Sequence, residues 1–295
     1  MKKLLDCTIR DGGYVNNWEF TDEEVKELYK STSLAGFDFF EIGFRTKLTN
    51  LGKGKWFYCN EQDITDVKNY YKNGCKISVM TRIEDINLDL NSFKNKKESN
   101  IDMVRVFLTY ENENVSGYSI QKLEKCRDVL IHLNNLNYIT CLNLGSTSVI
   151  KEEDLNNVFK IVISNTNINF LYFADSYGSL LFNNFDKYIN NLSKLLKIYN
   201  KPNIKLGFHA HNNLGNAYSN FIKCLSLNVD IIDSTVSGLG RGSGNLHSEI
   251  SILHLYKDTY NKKYDIRPLL DYSDKYIVSI KELNGKYNFG YNNIL

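Results

Sequence analysis

Two histidines separated by one residue, His209 and His211, close the apolar run IKLGFHAH. Side chains in an extended strand alternate with period two, so both imidazoles project to the same side. Paired imidazoles with no packing reason to stand together suit a borderline divalent metal ion. An HxH pair alone is only moderately specific, so further ligands matter. Near the start, LLDCTIRDGG sets Asp11 after another apolar run, and Gly12 and Gly13 allow the backbone to bend and bring the carboxylate inward. The competing reading of Arg10 and Asp11 is a surface ion pair at a turn. Asn245, in GLGRGSGN, offers an amide oxygen, although asparagine serves equally well as a helix N-cap. Two nitrogens with one or two oxygens favour manganese or magnesium, admit zinc or cobalt, and leave positions open for substrate oxygens.

Those residues need a scaffold that gathers distant segments at one place. Short apolar runs at residues 4–8, 39–44, 76–81, 103–109, 138–144, 170–174, 204–209 and 231–235 alternate with stretches of helical period such as 22–34 and 154–163. Such alternation predicts βα units around a parallel sheet, and eight units predict a (β/α)8 TIM barrel over residues 1–265. Residues 266–295 match no ninth unit and read as a short C-terminal helical extension, either a cap or a contact between copies in a homo-oligomer. Polar and glycine-bearing segments (RDGG, GFRT, DSYG, HAHNN, SGLGRGSGN) follow the first, second, sixth, seventh and eighth runs. In this fold that face carries the active site. A longer excursion at residues 45–60, with Lys47, Lys53 and Lys55, reads as a lid with an anion-binding end or as a solvated loop.

Composition narrows the function further. A length of 295 residues suits one barrel with a short tail, and 42% hydrophobic with 24% charged residues is ordinary for a globular protein. A net charge of +2 gives no support to a nucleic-acid partner or an anionic membrane surface, leaving a small-molecule substrate. The opening residues lack the apolar stretch of a signal peptide and no later run reaches membrane-spanning length, so a cytoplasmic protein is expected. Six scattered cysteines without a CxxC pair read as reduced, buried side chains. The glycine-rich run fails the dinucleotide pattern: counted from Gly238 the third position is Ser243, and counted from Gly240 it is Asn245. NAD binding is not expected, while a phosphate or carboxylate remains compatible.

Together, LLDCTIRDGG, GFHAHNNLGNA and DSTVSGLGRGSGN resemble the opening, two-histidine and closing segments of the DRE-TIM metallolyase superfamily, which includes 4-hydroxy-2-oxovalerate aldolases and HMG-CoA lyases. The resemblance covers residues 4–257 and implies Arg10 as the catalytic arginine and Asp11, His209 and His211 as metal ligands. It puts Asn245 at the position of a fourth ligand, and FADSYG supplies a matching pair in Asp175 and Ser176. Gly12 stands where the lyases have glutamate, as in the oxovalerate aldolases, whereas Tyr14 replaces the basic histidine of those aldolases.

The resulting expectation is an aldolase that joins or splits pyruvate and an aldehyde, with a 2-oxo acid and an aldehyde as small-molecule partners. Arg10 stabilises charge, and Tyr14 handles the proton, its phenolate favoured by the metal and Arg10. Glu41, Asp175 and His247 are alternative proton carriers. Glu41, Arg45, Asp175 and Ser176 are assigned to substrate binding. The rival readings are a Claisen-type synthase joining an acyl-CoA to a 2-oxo acid, and an inactive binding barrel. Retention of Arg10 beside a complete ligand set argues against the latter.

Overall fold

The computed structural model describes residues 2–46, 51–86, 93–110, 117–259, 263–278 and 280. Eight parallel strands, β1 (Lys3–Asp6), β2 (Phe39–Phe44), β3 (Lys76–Arg82), β4 (Met103–Leu108), β5 (Ile139–Leu144), β6 (Phe170–Asp175), β7 (Lys205–Ala210) and β8 (Ile231–Ser234), close into a barrel in chain order. The architecture is the (β/α)8 barrel that the alternating pattern predicts. Strands such as FFEIGF and FLYFAD are buried along their whole length, as a sheet enclosing a core and covered by helices requires. The outer helices carry local stop and start signals. Helix α2 (Asp22–Ala35), which follows α1 (Thr8–Asn16), opens with a reciprocal Thr21 and Glu24 capping box and closes on Gly36 at φ 98°, a left-handed position that suits glycine.

The first segment departs from expectation. Strand β1 ends at Asp6 because its carboxylate accepts hydrogen bonds from the Thr8 amide (3.1 Å) and hydroxyl (2.7 Å), turning the chain into α1. The RDGG run is therefore helical rather than a bend. Its glycines serve close packing: a Cβ on Gly12 would lie 2.6 Å from Leu239, and one on Gly13 would lie 2.2 Å from the Trp18 ring. Glycine inside a helix costs about 1 kcal/mol relative to alanine, so this tight seating of α1 outweighs local propensity. The lid expectation also changes. Lys47 lies outside the described residues, while Trp56, Phe57 and Cys59 pack down and are buried, with exposed Lys53 bonded to Asn17 and exposed Lys55 paired with Asp22 and Asp63.

Inside the barrel, side chains from even-numbered strands form layers, the usual way this fold fills its centre. Phe39, Met103, Phe170 and Ile231 form an apolar layer, and two residues further along the same strands stand Glu41, Arg105, Tyr172 and Asp233. Gly207 makes room for Tyr172, since a Cβ there would lie 2.5 Å from the tyrosine ring. The second layer is charged: Arg105, with no solvent exposure, donates to Glu41 (2.9 Å) and Asp233 (2.7 Å) and lies 4.1 Å from the Tyr172 ring centre.

Beyond the barrel, helix α9 (Arg267–Tyr272), preceded among the outer helices by α3 (Glu61–Tyr70), α4 (Ile120–Asn135), α5 (Glu152–Ile161), α6 (Phe182–Ile198), α7 (Ala217–Ser226) and α8 (Ser248–Thr259), runs into a π turn at Ser273–Ile277. This segment reaches α2, where Tyr276 and Lys275 contact Glu23. Among the described residues no helix is long and apolar enough to cross a membrane, and all six cysteines are free thiols.

Burial raises the Asp6 carboxyl to about 7 against its Thr8 hydrogen bonds. The folded protein thus holds a proton that the unfolded chain releases near pH 4, and Asp6's contribution to stability is lost as pH rises from about 4 to about 7. The full effect is about 4 kcal/mol. Denaturant titrations across that window should show this decline in the wild type and a flatter profile in Asp6→Asn; parallel profiles would place the proton elsewhere.

Candidate metal centre and its cavity

Three segments meet at the C-terminal mouth of the barrel. The first turn of α1 brings Asp11, the end of β7 brings His209, and His211 follows immediately, held by a bridge between its backbone and that of Asn245. The candidate ligand atoms of Asp11, His209 and His211 all lie within 4.8 Å of one another. The imidazoles are 5.0 Å apart and nearly perpendicular, so the period-two projection survives although β7 stops one residue before His211.

Outer contacts orient this set. Asp233 Oδ2 lies 3.1 Å from His209 Nδ1, which leaves His209 Nε2 buried and without a protein partner. A carboxylate behind a histidine is the common way to fix a metal-binding tautomer. Asn245 donates from Nδ2 to Asp11 Oδ2 (2.5 Å) and to Leu239 O (3.2 Å), leaving its buried Oδ1 unpartnered. Gly240 permits this approach, because a Cβ there would fall 2.2 Å from Asn245 Nδ2 and 2.7 Å from Asp11 Oδ2.

Electrostatics favours a cation here. Burial opposes ionisation of Asp11, but Arg10, the two histidines and the Asn245 hydrogen bond hold its carboxyl well below the usual range. Burial pushes the His211 imidazole down to about 3 despite the pull of Asp11, leaving a neutral ring with a lone pair available. Two guanidiniums, Arg10 and Arg105, pair with three carboxylates, Asp11, Glu41 and Asp233, so the connected cluster carries one excess negative charge. A divalent cation fits both that charge and the unpartnered donor atoms. Cys7, His209 and Asp233 form a second close group. Its chemistry is poorer, since burial raises the Cys7 thiol well above its ordinary value and Asp233 is already bound to Arg105.

The centre opens into a cavity of about 200 Å³, with Arg10, Asp11, Tyr14, Ser176, His209 and His211 on its wall. Three other expected site residues stand back from it. Glu41 is fully buried and bonded to Arg10 and Arg105; Arg45 bonds to Cys59 O and Glu61; both Asp175 oxygens accept backbone amides, from Ser179 and Leu180. Ser176 Oγ accepts from the Ser146 amide. His247 lies beside Gly238, where an added Cβ would come 2.5 Å from its Nε2. Sequence reading missed Arg105, Asp233, Arg82 and Arg241. Lone charged residues inside the apolar runs MVRVFL and IIDS were the available signal for the first two.

Residues 2–275 match the family model described as HMGL-like, and the chain belongs to that family. An oxaloacetate decarboxylase from Mycobacterium tuberculosis is 23% identical over 274 residues, covering 91% of this chain and 74% of that protein. A 4-hydroxy-2-oxovalerate aldolase from Geobacillus genomosp. 3 is 25% identical over 280 residues, covering 94% and 76%. Among solved structures, an HMG-CoA lyase from Bacillus subtilis superposes with a TM-score of 0.70 at 16% identity, covering 95% of this chain and 94% of that one. That last likeness concerns the fold.

Metal content measured after dialysis against manganese should fall to near background in His209→Ala; full occupancy in that variant would place the ion elsewhere. Arg105→Met, which leaves Glu41 and Asp233 buried without their counter-charge, should lower unfolding free energy by about 3–5 kcal/mol. It should also weaken metal binding by about 10- to 100-fold through the loosened Asp233 and His209 pair. Unchanged stability would contradict the charge layer.

Proposed function

We propose that this HMGL-like chain is a divalent-metal-dependent aldolase that forms or cleaves a 4-hydroxy-2-oxo acid, with pyruvate as one component. The observation that carries this reading is the state of Arg10. Its Nε is committed to Glu41 (2.7 Å) and its Nη1 to Asp11 (2.6 Å), while Nη2 is buried and unpartnered. A guanidinium pinned at two corners, with its Nη2 amino group left over, is a preorganised site for an oxyanion. Its charge is permanent, since Asp11 and Glu41 outweigh burial and raise its affinity for the proton.

Asp11, His209, His211 and the Asn245 amide oxygen would hold the metal ion, which supplies Lewis-acid stabilisation to the carboxylate and keto oxygens of a 2-oxo acid. The names of the relatives agree with that chemistry: cleaving a 4-hydroxy-2-oxo acid between C3 and C4, or removing carbon dioxide from oxaloacetate, leaves pyruvate enolate in each case. Arg10 Nη2 donates to the oxygen on which that negative charge develops.

The proton on the aldehyde oxygen falls to Tyr14. Of the four residues considered for this role, Tyr14 lines the cavity, whereas Glu41 and Asp175 have their oxygens engaged elsewhere. Trp18 meets its ring edge-on at 4.7 Å, and 47% of the residue is exposed. The expected lowering of its pKa relies on the metal ion together with Arg10, and the protein side chains alone work against it. Desolvation raises the phenol, and the attraction of Arg10 is opposed by Asp11. Tyr14 is therefore a neutral phenol at neutral pH, suited to donating a proton to the aldehyde oxygen as the carbon–carbon bond forms. In cleavage the same group must first lose its proton, so the cleavage rate rises with pH below its raised pKa.

Arg10→Ala should retain bound metal yet lower kcat by about 10²- to 10³-fold on pyruvate and an accepted aldehyde, the loss expected for one preorganised oxyanion donor. An unchanged rate would make Arg10 structural. For Tyr14→Phe, pH profiles of kcat/KM for cleavage should show about a 10²- to 10⁴-fold loss and no rising basic limb. A variant that kept both rate and limb would assign the proton to another group.

A further inference from the structure

The cavity wall carries two more arginines that the aldol chemistry above leaves unused, Arg82 at the end of β3 and Arg241 in the glycine-rich segment after β8. Each is held at one point. Arg82 donates from Nε to Asp85 (2.7 Å) and its guanidinium lies 5.9 Å from the Phe57 ring centre. Arg241 donates from Nη2 to Ser176 O (2.9 Å) and lies 5.9 Å from the Tyr14 ring centre. A guanidinium has five N–H donors, so both keep most of theirs. Among the described residues no carboxylate lies within ion-pair distance of Arg241; its one hydrogen-bond partner is a neutral carbonyl.

Charge decides what such a wall is for. The cavity is lined by Arg10, Arg82 and Arg241 against Asp11 alone, with both histidines formally neutral, an excess of two positive charges. Glu41 behind Arg10 and Asp85 beside Arg82 offset part of that excess, so the positive charge left without a carboxylate is that of Arg241. Arg82 and Arg241 both sit close enough to Tyr14 to act electrostatically on its phenol, which places their positive field beside the group that meets the aldehyde oxygen. Pyruvate brings one carboxylate, and the metal with Arg10 accounts for it. The rest of the wall is mixed and includes Phe44, Met80 and Phe107. An apolar aldehyde would cover the free N–H groups of Arg241 and of Arg82, beyond those held by Ser176 and Asp85, without giving them acceptors, which is costly.

We propose that Arg82 and Arg241 form an anion subsite, and that the substrate carries a second carboxylate or phosphate beyond the 2-oxo acid group. This rests on the aldolase reading and names its substrate class. The second anion has two sources: the far end of an anionic aldehyde, or the C4 carboxylate of a dicarboxylic 2-oxo acid such as oxaloacetate.

The test compares manganese-loaded wild type with Arg82→Gln and Arg241→Gln. Condensation with pyruvate is measured for matched pairs, glyceraldehyde 3-phosphate against glyceraldehyde and succinic semialdehyde against butanal, and decarboxylation is measured for oxaloacetate. The wild type should favour the anionic member by about 100-fold or more in kcat/KM, and each substitution should cut that ratio by about 10- to 100-fold, the value of a charged hydrogen bond. Arginine dependence confined to oxaloacetate assigns the anion to the oxo acid itself, within the same proposal. Equal kcat/KM within each pair, together with oxaloacetate turnover indifferent to both substitutions, overturns it.

Deuterium exchange at the pyruvate methyl group, followed by NMR without any aldehyde, separates the two claims. Exchange with neither an anion preference nor arginine-dependent oxaloacetate turnover sinks the subsite alone, while absence of exchange sinks the aldolase reading. In that second case calorimetric titration with succinate and 3-phosphoglycerate, which need no turnover, still decides the subsite. Binding weakened at least about 10-fold by either substitution supports it, and binding absent or indifferent to both overturns it.

Discussion

Arg105 is the constraint on which the site depends. It stands inside the barrel with no solvent exposure, and a guanidinium there is tolerable only because Glu41, Asp233 and the face of Tyr172 surround it. Its two carboxylate partners each have a second duty at the level above. Asp233 holds His209 by Nδ1, and Glu41 holds Arg10 by Nε. One buried cation thus sets the orientation of a candidate metal ligand and of the oxyanion-binding arginine. Such a layer contributes little net stability compared with a well-packed apolar one, and its value lies in geometry.

The charges alternate from that layer outward. Arg105 is neutralised from two sides, Arg10 takes up Glu41 and Asp11, and the sum leaves one negative charge beside unpartnered His209 Nε2 and Asn245 Oδ1. A divalent cation reverses that sign. The outer wall is positive already through Arg241, beside the Arg82 and Asp85 pair. A substrate with anionic groups at both ends matches this polarity along its length, while desolvation holds the Tyr14 phenol protonated against the pull of Arg10, Arg82 and Arg241.

Much of this arrangement was legible in sequence because the barrel converts chain order into spatial convergence. Asp11, His209 and Asn245 follow apolar runs, and the ends of parallel strands all open on one face. What stayed hidden had a physical reason. Arg105 and Asp233 sit within apolar runs, where a single charged residue gives no periodic signal and its partner lies 128 residues away. Gly12 and Gly13 looked like a hinge, since a glycine needed for bending and one needed for close packing leave the same trace. Glu41, Arg45 and Asp175 were assigned to substrate binding, Asp175 by its resemblance to a family pair and the other two from the second strand and the segment after it. Side-chain direction and backbone hydrogen bonding then drew each away from the cavity.

The central claim is that Asp11, His209 and His211 hold a divalent ion on the Nε2 side of His209, above the Arg105 layer. Anomalous diffraction from manganese-loaded crystals tests it most directly. The account predicts one strong peak at coordination distance from His209 Nε2, His211 and Asp11. A peak instead on the Nδ1 side, between Cys7 and Asp233, or no ordered ion at the barrel mouth, would contradict it.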